Sequence, residues 1–192
     1  MTVAPKINLL AAGLVYFGLF FMAIVVDAHH DVLRFPPPSA GLPRSLAVDM
    51  AIGFGAALPI CWLTRLGVRK SVHLRELARE FQALLGSLET RETFFLSMFS
   101  ALGEEFFFRG LVQSWVGLVP AALIFGLLHV GPGKRFIPWT LFATVVGLML
   151  GLLYEWRGDL LAPVAAHFGV NFLNLLFLPR WLGASHETPH GL

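Results

Sequence analysis

The chain has 192 residues, of which 56% are hydrophobic and only 14% are charged. Soluble domains typically have about 45–50% apolar and about 25% charged residues, so this composition indicates a membrane protein. Lys and Arg together number 14 against 12 Asp and Glu, and the net charge of +2 excludes the strongly basic balance of nucleic-acid-binding proteins. The apolar content excludes intrinsic disorder, and the single cysteine, Cys61, excludes a disulfide scaffold.

Six apolar runs are near the length of about 20 residues that an α-helix needs to cross a bilayer. Their hydrophobicity is continuous rather than alternating, and an open sheet cannot face lipid, so strands are not expected. The first run is longer than the core of a signal peptide, which favours a retained helix. The sequence therefore predicts an all-α, polytopic membrane helix bundle with about six transmembrane helices. The predicted spans are 9–26, 46–66, 93–113, 115–128, 136–154 and 160–178.

The distribution of Lys and Arg predicts the orientation of this bundle. With the N-terminus inside, ten of these residues lie on the inner side and four on the outer side, and Arg157 is counted in an outer loop. The positive-inside rule then predicts that both termini are cytoplasmic.

Residues 69–88 alternate charged and apolar side chains at helical spacing, which predicts an amphipathic helix on the inner surface. This helix is either a connector or a substrate-recognition element. Residues 27–44, with Pro36–Pro38, are expected to form a stiff outer loop.

Three charged residues lie within the third apolar run. Burying an ionisable group in a bilayer costs at least about 2.5–3.5 kcal/mol, so such groups indicate function. Glu105 and Arg109 are four residues apart and share a helix face, so Arg109 can hold Glu105 ionised. Glu104 points about 100° away and has no cation nearby in the sequence, an environment suited to a general base. The alternative is a Glu–Arg pair that only locks helices together, but that role needs no second glutamate.

Further polar residues lie in the later spans. His129 ends the fourth apolar run, and His167 and Asn171 are four residues apart on one face of the sixth, with Asn174 about a turn further. Each could be an interfacial histidine or a hydrogen-bonding contact between helices. Together with the two glutamates they predict a convergent polar centre built from three helices.

The sequence also contains an HExxH pattern, at His186–His190. Zinc proteases place these two histidines on one helical face. Pro189 disrupts a helix here, so we do not expect a zinc site in this segment.

The polar residues form three short motifs in a fixed order on three successive helices. They are EExxxR at Glu104, Glu105 and Arg109, FxxxH at Phe125 and His129, and HxxxN at His167 and Asn171. This combination resembles the CAAX-protease and bacteriocin-processing family of intramembrane proteases. The resemblance covers residues 92–178.

The resemblance implies a role for each motif residue. Glu104 would activate a water molecule, with His129 and His167 around the same centre, and Asn171 would orient the water or stabilise the oxyanion. Supporting or substrate-binding roles fall to Glu105, Arg109 and Phe125. Family members are described as metal-dependent or as glutamate proteases. We favour a metal-free mechanism because an amide is a poor zinc ligand, although Glu104, His129 and His167 could hold a divalent ion such as zinc.

The expected organisation follows from the spans and the resemblance. Residues 1–91 would form two transmembrane helices and the amphipathic helix, residues 92–180 a four-helix catalytic core, and residues 181–192 a tail. The implied function is cleavage of a membrane-embedded or lipid-anchored peptide, by a multi-pass protein of the bacterial inner membrane. The expected partners are the bilayer and a peptide or protein with a hydrophobic or lipidated segment, and no nucleic acid. The alternative is a non-catalytic membrane immunity or interaction protein on the same scaffold.

Overall fold

A computed structural model describes residues 8–30 and 45–183 of the chain. Within these residues the regular structure is entirely helical, which confirms the predicted all-α polytopic bundle. A π-helical segment, Phe106–Val112, and a short 3₁₀ turn, Lys134–Phe136, join some of the α-helices. The α-helices are α1 (Leu9–His30), α2 (Leu46–Lys70), α3 (Val72–Leu85), α4 (Thr90–Glu105), α5 (Gln113–Val116), α6 (Leu118–Leu128), α7 (Ile137–Arg157) and α8 (Leu161–Gly183).

Four of the described helices, α1, α2, α7 and α8, are long and apolar enough to cross a membrane. The third and fourth predicted spans are not single long α-helices in the structure. The third is helical from Thr90 to Val116, but it passes through the π-helical segment and carries the charged motif. The fourth is reduced to the 11 residues of α6, because Gly117, at φ +82°, separates α6 from α5. The expected amphipathic helix is α3, which begins after the N-cap Ser71.

Small side chains allow α2 and α8 to pack closely. A Cβ atom on Gly53 would lie 2.4 Å from the carbonyl oxygen of Ala162, and one on Gly169 would lie 2.9 Å from the Cβ of Ala57. Small residues at such spacing are typical of helix interfaces in membranes, where close backbone approach supplies the packing energy. This interface holds α8, and with it His167 and Asn171, against the rest of the bundle.

A buried ion pair joins α2 to α7. The Arg157 Nε–H donates a hydrogen bond to Asp49 Oδ1, and the two residues are only 2% and 1% exposed. The sequence predicts Arg157 in a loop, but Arg157 is the last residue of α7 and its side chain is buried; which side of the membrane it lies on stays a prediction. The partner is 108 residues away in sequence, so no local pattern indicates the pair.

Two sequence predictions fall on other parts of the chain. The outer loop was predicted at 27–44, but α1 continues to His30, so the loop begins later than predicted; residues 31–44, with Pro36–Pro38, lie outside the described residues. The HExxH pattern at His186–His190 also lies outside them. Both remain predictions.

Candidate active site

The two adjacent glutamates lie at the C-terminal end of α4. This helix begins with a capping box, in which the Glu89 N–H donates a 2.9 Å hydrogen bond to the Glu92 side chain. It runs as a regular α-helix to Glu105, and the π-helical segment begins at the next residue. Such wide turns occur often at functional sites, because they change the direction in which the following side chains point. Here the π-helical segment carries Arg109.

Glu105 connects two other motif residues. Its Oε2 lies 3.0 Å from Arg109 Nε, and its Oε1 lies 2.7 Å from His167 Nδ1. The side chains of Glu105 and Arg109 are completely buried. Because an ionised carboxylate only accepts hydrogen bonds, His167 Nδ1 carries the hydrogen and its Nε2 is left for another group. The predicted pairing of Glu105 with Arg109 is therefore present, and it extends to a third helix.

Glu104 faces a different histidine. Its Oε2 lies 3.6 Å from His129 Nε2, and no described residue donates a hydrogen bond to this oxygen. His129 Nδ1 lies 2.7 Å from the carbonyl oxygen of Phe125. A carbonyl only accepts, so Nδ1 carries the hydrogen and Nε2 is the nitrogen that faces the carboxylate. Both His129 and His167 are close enough to Glu104 to interact with its charge.

Phe125 forms an apolar wall at the centre of the site. Its ring centroid lies 4.4 Å from the ring of His129 and 6.1 Å from that of His167. The guanidinium carbon of Arg109 lies 4.9 Å from the same centroid, which is within the range of a cation–π interaction. The structure thus brings all three motifs together around one aromatic ring.

Asn171 contacts α4 one turn before Glu104. Its Nδ2 donates a 3.0 Å hydrogen bond to Ser100 Oγ, and Ser100 Oγ donates to the carbonyl oxygen of Ser97. Sequence reasoning missed both serines. The available signal was their spacing, since Ser97 and Ser100 fall on the same face of α4 as Glu104.

Helix α1 packs over the α4 side of the site. A Cβ atom on Gly103 would lie 2.4 Å from the Tyr16 carbonyl oxygen, and the rings of Phe20 and Phe106 are 4.8 Å apart. A cavity of about 370 Å³ lies between α1 and the first half of α4, with Arg91 among its lining residues. The first span, which lies outside the three motifs, therefore forms one wall beside them.

The described side chains do not form a zinc-type ligand set. Within residues 8–30 and 45–183, no three His, Cys, Asp or Glu side chains converge so that they could hold a metal ion. His167 directs Nδ1 at Glu105, while His129 faces Glu104. Three or four protein ligands are typical of zinc sites, so we derive no catalytic step through a metal.

These features define a helical membrane protein with a buried Glu/His centre. Residues 87–173 match a family model described as "Type II CAAX prenyl endopeptidase Rce1-like". This match contains all three motifs and confirms the family resemblance that they carry.

A curated relative is similar to this chain over part of its length. Uncharacterized protein YpbD of Bacillus subtilis strain 168 is 43% identical over 76 residues, which cover 38% of this chain and 39% of that protein. No solved structure matches the chain significantly. The region that this chain shares with YpbD is less than half of each of the two proteins.

Proposed function

We propose that this chain is an intramembrane endopeptidase that hydrolyses a peptide bond in a membrane-embedded or lipid-anchored substrate. The observation that carries the proposal is the difference between two neighbouring carboxylates. Glu105 Oε1 contacts His167 Nδ1 at 2.7 Å and Glu105 Oε2 lies 3.0 Å from Arg109 Nε, whereas Glu104 has one histidine, His129, at the longer distance of 3.6 Å. Adjacent acids in distinct environments are typical of sites that divide catalytic roles between them.

Glu104 is the general base in this mechanism. The separation of 3.6 Å between Glu104 Oε2 and His129 Nε2 allows one water molecule to lie about 2.8 Å from each atom. Glu104 takes a proton from this water, and the resulting hydroxide attacks the peptide carbonyl. The protonated Glu104 then gives its proton to the leaving amine as the carbon–nitrogen bond breaks.

His167 is the preferred donor to the oxyanion. Glu105 fixes Nδ1 of this ring through the 2.7 Å contact, so a protonated His167 presents Nε2–H to the site. The carboxylate stabilises the imidazolium charge, as in other carboxylate–histidine pairs. Arg109 in turn compensates the charge of Glu105, and Asn171 holds α8 against α4 through Ser100. Preorganised donors of this kind contribute several kcal/mol of transition-state stabilisation.

The proposed substrate is a peptide with a hydrophobic or lipidated segment that reaches the site from the bilayer. The apolar helices and the matched prenyl endopeptidase family support this class of substrate. Bacterial inner membrane location and cytoplasmic termini belong to the same proposal, and the orientation of the termini rests on the distribution of Lys and Arg in the sequence.

The test is cleavage of a peptide library by the purified chain in lipid nanodiscs. The library contains peptides with a prenylated cysteine near the C-terminus and the same peptides without the lipid. Wild type is compared with Glu104→Gln and with Glu76→Gln, a matched change on α3 remote from the motifs. We expect Glu104→Gln to lower cleavage by about 10²–10⁴-fold and Glu76→Gln to leave it unchanged. An in-cell phenotype that persists in Glu104→Gln, with no cleavage by wild type, would instead indicate a non-catalytic interaction protein.

A further inference from the structure

Four polar residues form a continuous stripe along the buried face of α4. Thr93, Ser97, Ser100 and Glu104 are separated by four, three and four residues, so they lie on one side of the helix. All four are buried, and Ser97 is completely inaccessible. The stripe extends about 16 Å from the first turn of α4 to the proposed base.

A second stripe lies on α8, which packs against α4. Its members are His167, Asn171 and Asn174, again on one helical face. The hydrogen bond from Asn171 to Ser100 joins the two stripes. We call the five residues beyond the catalytic centre the polar seam, which consists of Thr93, Ser97, Ser100, Asn171 and Asn174.

Two buried atoms of the polar seam have no hydrogen-bond partner among the described residues. Ser97 Oγ and Asn174 Oδ1 are both buried, and neither has a hydrogen-bond partner in the described part of the chain. Unpaired buried polar groups are costly, and in proteins they are commonly satisfied by internal water. A hydroxyl and an amide oxygen are suitable contacts, because the hydroxyl can both donate and accept.

We propose that the polar seam is a water-binding path that leads from the membrane surface at the Thr90 end of α4 to Glu104. The inference rests on the proposed function, since hydrolysis consumes one water molecule for each bond and the hydrocarbon core of a bilayer contains none. The seam begins at Thr93, next to the capped and solvent-accessible start of α4. It ends where Glu104 and His129 face each other.

The competing explanation is that these residues are only small side chains that allow helices to approach. Alanine is also small, so Ser97→Ala preserves close packing and removes only the hydroxyl. Removal of an unpaired buried hydroxyl is neutral or stabilising if the group has no further role. The two explanations therefore predict different effects of one substitution.

The first test detects bound water without any need for activity. Full-length Ser97→Cys protein in nanodiscs is exposed to hydroxyl radicals generated from water by X-ray radiolysis, and oxidation is followed by mass spectrometry. Native Cys61, which is buried between α2 and α8, is the internal control in the same molecule. We expect the introduced thiol to be oxidised several-fold faster than that of Cys61. Equal, slow oxidation of both thiols would overturn the water path.

The second test uses the cleavage assay. Ser97→Ala and Asn174→Leu are compared with Ser114→Ala, which removes a hydroxyl bonded to the Leu111 carbonyl outside the seam. We expect the two seam variants to cleave about tenfold more slowly, the effect of losing one hydrogen bond to the water, with unchanged melting temperatures. Unchanged cleavage in both seam variants would contradict the proposal. If wild type cleaves no peptide and an in-cell phenotype persists in Glu104→Gln, the proposed function fails while the radical labelling still decides the water path.

Discussion

His167 Nδ1 lies 2.7 Å from Glu105 Oε1, so the glutamate next to the proposed base orients this histidine. The base itself, Glu104, faces the other histidine at 3.6 Å. The two adjacent glutamates thus serve two different histidines on two different helices. Their substitutions should consequently have different effects on stability and on catalysis.

The first prediction separates the two glutamates by stability. Glu105→Gln removes the carboxylate that is paired with the completely buried Arg109, and breaking a buried ion pair typically costs about 3–5 kcal/mol. Glu104→Gln removes no hydrogen bond that a described residue donates to Oε2, so it should change stability little. Thermal unfolding of both variants in the same detergent measures the difference. Equal melting temperatures for Glu104→Gln and Glu105→Gln would show that the Arg109 pairing is not as described.

The second prediction concerns the buried pair of Asp49 and Arg157. Either single substitution, Asp49→Ala or Arg157→Ala, breaks the buried Asp49–Arg157 ion pair and should destabilise the protein by about 3–5 kcal/mol. The double variant should be less destabilised than the sum of the two, since the same Asp49–Arg157 interaction is lost in both single variants. A double-mutant cycle on unfolding free energies gives the coupling. Additive effects would mean that the two side chains do not interact.

The third prediction compares two glycines on the same helix. Alanine at Gly53 places a Cβ atom 2.4 Å from the Ala162 carbonyl oxygen, whereas nothing lies within 4 Å of the equivalent atom at Gly55. Gly53→Ala should separate α2 from α8 and lower the melting temperature. Gly55→Ala should be neutral or stabilising by up to about 1 kcal/mol, because alanine favours helix. A similar response of the two variants would contradict the α2–α8 contact.

The fourth prediction concerns metal removal. The glutamate mechanism uses Glu104, two histidines and water, so cleavage in nanodiscs should persist after prolonged treatment with a strong chelator. Dialysis and metal analysis of the treated protein provide the control for complete removal. Activity that is lost with the chelator and restored by a divalent ion would replace the glutamate mechanism with a metal-dependent one.

The sequence predicts the local parts of this site well. Glu105 and Arg109 are four residues apart, so their contact follows from helix geometry. Glu105 and His167 are 62 residues apart in the sequence. The only reason to expect them near each other was the prediction that the three motifs form one polar centre. That prediction placed both histidines around Glu104, without indicating that His167 hydrogen bonds to Glu105.

Other features depend on geometry that no short pattern encodes. No pattern in the sequence predicted the π-helical segment 106–112 or the break at Gly117, whose positive φ separates α5 from α6 and shortens the predicted fourth span. Asp49 and Arg157 meet across 108 residues. The spacing of Ser100 from Glu104 places both residues on one face of α4, but the hydrogen bond of Ser100 with Asn171 becomes visible only when α8 packs against this face.

The central claim is that Glu104 activates a water molecule and does not attack the peptide itself. The most direct test is a single-turnover cleavage in H₂¹⁸O with enzyme in excess over substrate. The account predicts one ¹⁸O atom in the new carboxylate of the product after the first turnover and none in the enzyme. An unlabelled first product, with ¹⁸O appearing in the peptide that contains Glu104, would show direct attack by the carboxylate and contradict the account.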